Sequence, residues 1–454
     1  MTSLRSRKAM TAIAGFTVAA FALSGCASGD SADSGTSTDT GSSDSGSSSE
    51  PVELSFLVDN SDQTVGTAEA LASAFTAQNP NITIDVETRP GGAEGDNIVK
   101  TRLATGEMTD IFWYNSGSLL QALNPNDTLV DLSGEDFMDN VNEAFIAGVT
   151  SGDGVFGVPA QTAMGGGILY NKDIYAELGL EVPVTWDEFM DNNAAIKAAG
   201  YDPVIQTYGD TWTSQLLVLA DYHNVEQENP GWAADYTANE ANYSDTASAR
   251  KGFDRLQEIH EAGYMNSDAA TALFNDGLAK LALGEGAHYP MLTFAVSTIN
   301  DIEGGDVEKI GFFAQPGDSA DSNGLTVWLS AAIYMPQTTE GAEREAALQF
   351  MDFVASAEGC AAITEGVGQQ GPYFINSCTE VDESLSSPIR DMFPYFETAG
   401  ATTPALEFLS PVKGPALEQI TVATGTGQYT AEEAAALYDE DVKKQAQQLG
   451  LEGW

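Results

Sequence analysis

Positively charged residues and histidines are scarce in this sequence. It contains 18 lysines and arginines against 67 aspartates and glutamates, with three histidines, and its formal charge is −49. A surface this acidic repels phosphate backbones and anionic lipids, so nucleic acid and a lipid surface are not expected as partners. The same charge argues against an anionic ligand, and we interpret it mainly as a source of solubility.

Motifs that assemble a catalytic or metal centre are also missing. The histidines His223, His260 and His288 are far apart, and the sequence has no His-Glu-x-x-His, Cys-x-x-Cys or Gly-x-Ser-x-Gly. Gly165–Gly167 lacks the lysine of a phosphate loop, so we expect a close backbone crossing there. We therefore predict a protein that is not an enzyme and binds no metal or cofactor. A secreted glycoside hydrolase remains the alternative, since so acidic a chain could supply two facing carboxylates.

The first 26 residues have the order of an export signal. Arg5, Arg7 and Lys8 precede an uncharged, mostly apolar stretch from residue 9 to 23, which is too short to span a membrane. Leu23-Ser24-Gly25-Cys26 resembles the lipobox of bacterial lipoproteins. The resemblance implies that residues 1–25 are a signal peptide and that Cys26 carries lipid at the extracellular face of the cytoplasmic membrane. A plain secretory signal with a chance cysteine is the alternative.

Residues 26–50 have the composition of a flexible linker. The stretch from 27 to 50 contains ten serines, five acidic residues and no aromatic residue. It cannot bury enough apolar surface to repay the entropy of ordering, so we expect a flexible tether. Beyond it the chain holds 15 basic and 62 acidic residues, a formal charge of −47.

Cysteines other than Cys26 form one pair, Cys360 and Cys378. An even pair outside the cytoplasm favours a disulfide, because that environment is oxidising. Two separate buried thiols are the alternative.

From residue 51 onward, strand and helix patterns alternate. Val52–Val58, Ile82–Val86 and Asp110–Tyr114 are predicted strands, with helical spacing between them. Thr185-Trp-Asp-Glu188 is typical of a capping box that begins a helix. The alternation predicts an α/β protein with mainly parallel sheets flanked by helices. Its length, about 400 residues, predicts two or more lobes.

Several segments in order resemble the extracellular solute-binding proteins of ABC transporters, the carbohydrate-binding family that includes maltose-binding protein. Gly157-Val-Pro159, Ile168–Asp173 and Pro183–Glu188 correspond to the family's GVP, YNKD and PxTWDE run. Weaker similarities occur at 75–82, 109–114, 283–291 and 314–317. Phe294 stands where many relatives have tryptophan, so a relative's ligand identity does not transfer directly.

The resemblance implies a two-lobed clamp of the periplasmic-binding-protein fold. The first lobe is expected to comprise 51–161 and 326–372, and the second 162–325 and 373–454. The chain would cross between them near 161–164, 318–326 and 370–378. A ligand would bind in the cleft, and the closed form, expected to be a monomer, would deliver it to the permease subunits in the membrane. A surface lipoprotein with no transport role is a further alternative.

Candidate ligand-binding residues are those expected at the carboxyl ends of strands or at the crossings. Aromatic rings suit the C–H faces of a sugar, and amides and carboxylates suit its hydroxyls. We therefore predict binding of a neutral oligosaccharide by Asp59, Asn60, Tyr114, Asn115, Gln161, Tyr208, Trp212, Phe294, Trp328 and Gln370. Trp186 is instead predicted to pack in the core, because its motif caps a helix.

Overall fold

The computed structural model describes residues 51–379 and 384–454. Cys26 and the expected signal and linker lie outside these residues. The strands are β1 Val52–Asp59, β2 Ile82–Arg89, β3 Ile111–Tyr114, β4 Thr150–Ser151, β5 Gly154–Val155, β6 Gly157–Pro159, β7 Met164–Asn171, β8 Asp202–Val204, β9 Gly286–Leu292, β10 Ile310–Ala314, β11 Leu325–Trp328, β12 Ala332–Tyr334 and β13 Thr402–Pro404.

Helices connect and cover these strands. They are α1 Asp62–Gln78, α2 Gly92–Thr105, α3 Ser118–Gln121, α4 Pro125–Thr128, α5 Glu143–Gly148, α6 Lys172–Leu178, α7 Trp186–Ala199, α8 Leu216–Leu219, α9 Tyr222–Glu228, α10 Trp232–Thr237, α11 Ala247–Glu261, α12 Phe274–Ala282, α13 Gly341–Val354, α14 Ala357–Val367, α15 Ser387–Glu397, α16 Leu406–Leu409, α17 Leu417–Gly425 and α18 Ala431–Gln448. Within the described ranges no single helix has the length and apolarity to span a membrane, although the bent pair α13–α14 meets both criteria together.

The first sheet has the strand order β2-β1-β3-β12-β6. β1 pairs in parallel with β2 and β3, and α1 and α2 provide the crossovers between these strands. Leu54, Phe56 and Val58 of β1 are fully buried because helices pack against the sheet. The three strands expected in this region are confirmed, with β2 extending three residues further, to Arg89.

The second sheet has the order β13-β11-β7-β9-β8, and β10 pairs with the central strand β7. β7 runs antiparallel to β9, β10 and β11, whereas β8–β9 and β11–β13 are parallel. The expectation of mainly parallel sheets is therefore wrong, since both sheets are mixed. β7 and β12 each follow a passage from the other sheet, and each enters its new sheet antiparallel to its neighbours.

We call the first sheet with its helices the first lobe and the second sheet with its helices the second lobe. The first passage between them, from β6 to β7, lies where it was expected. The second was expected near 318–326, but β11 still pairs with β7, so it lies between Trp328 and Ala332. The third was expected near 370–378, but Ile375 bridges Val141 and Cys378 is bonded to Cys360 of α14, so residues up to 378 still belong to the first lobe.

The capping motif at Thr185–Glu188 and the glycine run at Gly165–Gly167 adopt the local structures that the sequence predicts. Thr185 and Glu188 form a reciprocal capping box at the start of α7. Trp186 is 6% exposed, and its Nε1 donates a hydrogen bond of 2.7 Å to Glu258, which confirms its core position. Gly166 lies on β7 directly beneath the Trp328 ring, where a side chain would collide, so the predicted close backbone crossing is also confirmed.

The structure joins Cys360 of α14 to Cys378. These are the two cysteines for which the sequence favoured a disulfide. Cys378 follows the segment that bridges Thr162 and Val141, so the bond attaches α14 to the chain that returns toward the second lobe.

Candidate ligand-binding site

A cavity of about 670 Å³ lies between the two lobes and is lined by residues of both. Its volume falls within the range typical of ligand pockets, about 300–1,000 Å³. Most of the predicted residues on its walls follow the carboxyl end of a strand, as open α/β sheets require. The predicted residues that line it are Asp59, Asn60, Asn115, Gln161, Trp212, Phe294 and Trp328.

Aromatic rings of the second lobe form a continuous cluster on the cavity wall. The Trp212 ring lies 5.3 Å from Phe274 and 6.2 Å from Phe294, measured between ring centroids. Phe274 and Phe294 are stacked at 5.9 Å. We call these three residues the aromatic cluster. It offers an apolar surface of ring faces and edges beside hydrogen-bonding groups.

Polar groups of the first lobe occupy the opposite strand ends. Asp59 terminates β1 and accepts hydrogen bonds from the backbone and the hydroxyl of Ser61, at 3.0 and 2.6 Å. Asn115 follows β3, and Gln161 follows β6 with its backbone N–H donating to Ser330 Oγ at 2.7 Å. These bonds fix the backbone at the strand ends, so the side chains are held at the cavity wall.

Tyr114 was expected in the site but does not line the cavity. Successive residues of a strand point to opposite faces, so Trp113 and Asn115 line the cavity while Tyr114 is fully buried behind it. Its ring lies 5.7 Å from the Arg89 guanidinium. Burial, together with the neighbouring Asp96, raises the pKa of the Tyr114 hydroxyl well above its usual value.

Tyr208 and Gln370 also lie away from the cavity. Tyr208 is 4% exposed, and its hydroxyl packs against Gly425 and lies 3.5 Å from the sulfur of Met265. Gln370 donates its side-chain N–H to Val367 at 2.9 Å and lines a separate void of about 10 Å³ behind Gln161. Both side chains are therefore part of the packing around the site.

Charged residues on the cavity wall were missed by the sequence analysis. Arg89 ends β2, so the strand-end rule applied to β2 would have identified it. Asp96 and Lys100 follow on α2, and burial raises the pKa of Asp96 while Arg89 and Lys100 oppose that rise. Nothing local to the sequence marks Phe274 or Glu418, which the fold brings in from distant segments.

Carboxylates outnumber cationic groups around the cavity. Asp59, Asp96, Asp210, Asp276, Glu407 and Glu418 line it, against Arg89, Lys100 and Lys413. Lys413 is paired with Glu407 at 3.3 Å, and both side chains are largely buried. Carboxylates accept hydrogen bonds, whereas arginine and lysine donate them, so the walls can satisfy hydroxyl groups, which do both. The described residues contain no cluster of three or more metal-ligating side chains.

Comparisons with known proteins agree with this architecture. Over 269 residues the chain is 25% identical to a multiple sugar-binding protein of Streptococcus mutans, a match that covers 58% of this chain and 61% of that relative. The chain thus matches less than two thirds of that relative's length.

Solved structures establish the fold. A chitin oligosaccharide binding protein is 20% identical with a TM-score of 0.75, over 87% of this chain and 99% of that one. A solute-binding protein in complex with raffinose is 22% identical with a TM-score of 0.69, again over 87% and 99%. Residues 70–384 match the family described as bacterial extracellular solute-binding protein, which is well over half of the chain. The chain therefore belongs to the bacterial extracellular solute-binding proteins.

Proposed function

We propose that this protein is the substrate-binding component of an ABC importer, which captures a neutral oligosaccharide between its lobes and delivers it to a membrane permease. The observation that carries the proposal is the pairing of the aromatic cluster with polar strand-end side chains around one cavity. Ring faces suit the C–H faces of sugars, and the mixed donors and acceptors suit their hydroxyls. The names of the relatives, which refer to multiple sugars, chitin oligosaccharide and raffinose, favour the same ligand class.

A thermal-shift screen over neutral oligosaccharides tests the proposal, with monosaccharides as the matched panel. A ligand that binds the folded protein alone stabilises it by about 2.7 kcal/mol at a hundredfold excess over Kd. We expect at least one oligosaccharide to raise the melting temperature in a concentration-dependent way. A panel in which no sugar shifts the melting temperature, or in which charged ligands alone do so, would contradict the proposal.

The same samples separate binding from hydrolysis. Carboxylates line the cavity from both lobes, so a glycoside hydrolase is the enzyme class to exclude. After long incubation we expect the bound oligosaccharide to be recovered at its original length by chromatography. Shortened products that are absent from a heat-denatured control would identify an enzyme instead.

We also propose that the mature chain is a monomer, tethered by lipid on Cys26 to the outer face of the cytoplasmic membrane. The lipobox-like sequence and the extracellular nature of the family support this location. Cys26→Ser should release the protein into the medium or leave an unprocessed precursor, as shown by fractionation and mass spectrometry. A mutant that still fractionates with membranes as mature, lipidated protein would contradict the assignment.

A further inference from the structure

The start of α2 and the start of α17 approach each other closely across the cavity. Gly92 of the first lobe has φ +63°, and a Cβ atom at this position would lie 3.3 Å from Glu418 Oε2. The same position lies 3.4 Å from the Cβ atom of Trp212, also in the second lobe. The 3.3 Å distance is tighter than most side-chain contacts, so the two lobes leave little room for a side chain at position 92.

The chemistry of the two surfaces is complementary. α2 begins after Gly91 with no side-chain cap, so its first N–H groups carry the partial positive charge of a helix N-terminus. Glu418 brings a carboxylate that is 7% exposed and accepts a hydrogen bond of 2.6 Å from Thr211. The hydroxyl of Thr211 therefore orients the carboxylate, which lies close to the first residue of α2.

We propose that Gly92 and Glu418 form a latch that stabilises the closed arrangement of the lobes and thereby determines ligand affinity. The inference rests on the proposed clamp function, and it assigns the two residues a positioning role. Gly92 and Glu418 line the same cavity from different lobes, so opening the cleft would separate them. The latch keeps a fraction of the unliganded protein in the closed form. Because the ligand binds the closed form, its apparent affinity rises in proportion to that fraction.

Distance measurements on the unliganded protein test the latch independently of any ligand. Spin labels are placed on exposed helix positions by Glu69→Cys in α1 and Glu432→Cys in α18, in a Cys26→Ser background that keeps the Cys360–Cys378 pair. Gly92→Ala adds a methyl group that this arrangement can hold only if Glu418 or Trp212 shifts by a few tenths of an ångström. Glu418→Gln keeps the side-chain size and removes the charge.

Gly179→Ala is the matched control. Gly179 ends α6 with φ +65°, close to the φ of +63° at Gly92, but no atom lies within 4 Å of its Cβ position. Both variants therefore place an alanine at a positive φ, a strain that Gly179→Ala shows without any crowding of the added methyl group. Only at Gly92 does the added methyl group meet atoms of the other lobe when the lobes are closed.

We expect the unliganded wild type and Gly179→Ala to share a short-distance population. Gly92→Ala should deplete that population at least severalfold, and Glu418→Gln by about two- to fivefold, the factor that corresponds to a carboxylate at a helix N-terminus. A Gly92→Ala distribution identical to that of Gly179→Ala, or a wild type without any short-distance population, would overturn the latch. Failure of oligosaccharide binding would leave these distances unaffected, so the two proposals fail separately.

Discussion

Trp212 is the residue through which the site can be tested most sharply. It belongs to the aromatic cluster, lines the cavity and is half-buried. Trp212→Ala should weaken oligosaccharide binding by about 2 kcal/mol or more, because it removes the largest ring of the cluster from the cavity wall. It should lower the melting temperature only slightly. Calorimetric titration and thermal melts measure the two effects.

Trp186→Ala is the matched control for that prediction. Trp186 is 6% exposed, packs against Phe189 at 5.0 Å and lies outside the cavity wall. Its removal should cost about 3–5 kcal/mol of stability and leave affinity nearly unchanged. Normal binding by an early-melting Trp212→Ala, together with lost binding by Trp186→Ala, would show that the cavity has been assigned to the wrong face.

His288 gives the protein a specific acid sensitivity. It is fully buried on β9, between the Tyr175 hydroxyl at 2.6 Å and Asn193 at 2.9 Å, and burial lowers its pKa to about 3. An imidazole that is neutral in the folded state and protonated in the unfolded state favours unfolding below its unfolded pKa of 6.5. The contribution of His288 to the free energy of unfolding should therefore fall by up to roughly 4–5 kcal/mol as the pH decreases from about 6.5 to 3.

A His288→Gln variant isolates this contribution. Glutamine can keep hydrogen bonds but does not titrate, so its unfolding free energy should depend less steeply on pH between 6.5 and 3 than that of the wild type. Parallel slopes for wild type and His288→Gln in denaturant titrations would show that His288 is not buried as a neutral group.

At the scale of elements, the Cys360–Cys378 pair fixes the end of the first lobe. It links α14 to the segment that follows the Thr162–Tyr373 bridge, with a sequence separation of 18. A bond of this span stabilises by roughly 3 kcal/mol in the chain-entropy view. Thiol titration of denatured, unreduced Cys26→Ser protein should find no free thiol, and Cys378→Ser should melt earlier. Two free thiols per chain would contradict the disulfide.

Elements with local chemistry were predictable from the sequence, whereas their long-range pairing was not. The capping box of α7 and the buried strand β1 depend on neighbouring residues, and both match expectation. β11 pairs with β7, more than 150 residues earlier, and nothing in Leu325–Trp328 specifies that partner. The crossing was therefore placed too early, and the mixed character of both sheets was missed.

The same distinction applies to the site. Asp59, Asn115 and Phe294 were selected because they follow the carboxyl ends of predicted strands, and all three line the cavity. The ends of strands can be recognised from the sequence pattern, so this part of the site was predictable. The same rule failed at Tyr114, because alternate residues of a strand point to opposite faces and Tyr114 points away from the cavity. It also failed at Tyr208, whose side chain packs against Gly425. Glu418 joins the wall through the packing of α17 on the Thr211–Gln215 turn, and no local motif encodes that contact.

At the scale of the whole molecule, the charge favours the uncharged ligand that we propose. Residues 51–454 carry a formal charge of −47, and carboxylates outnumber cations around the cavity. An anion would meet repulsion both on approach and on binding, whereas an uncharged sugar would meet neither. Contacts to both lobes then favour closure, because a ligand shifts an equilibrium by its difference in affinity for the two states.

The structure of the protein with the tightest-binding neutral oligosaccharide tests the central claim most directly. We predict one sugar chain in the cavity between the lobes, with a ring against Trp212 and hydroxyls hydrogen-bonded to Asn115 or Asp59 of the first lobe. A sugar that binds outside the cavity, or that contacts one lobe alone, would contradict the account.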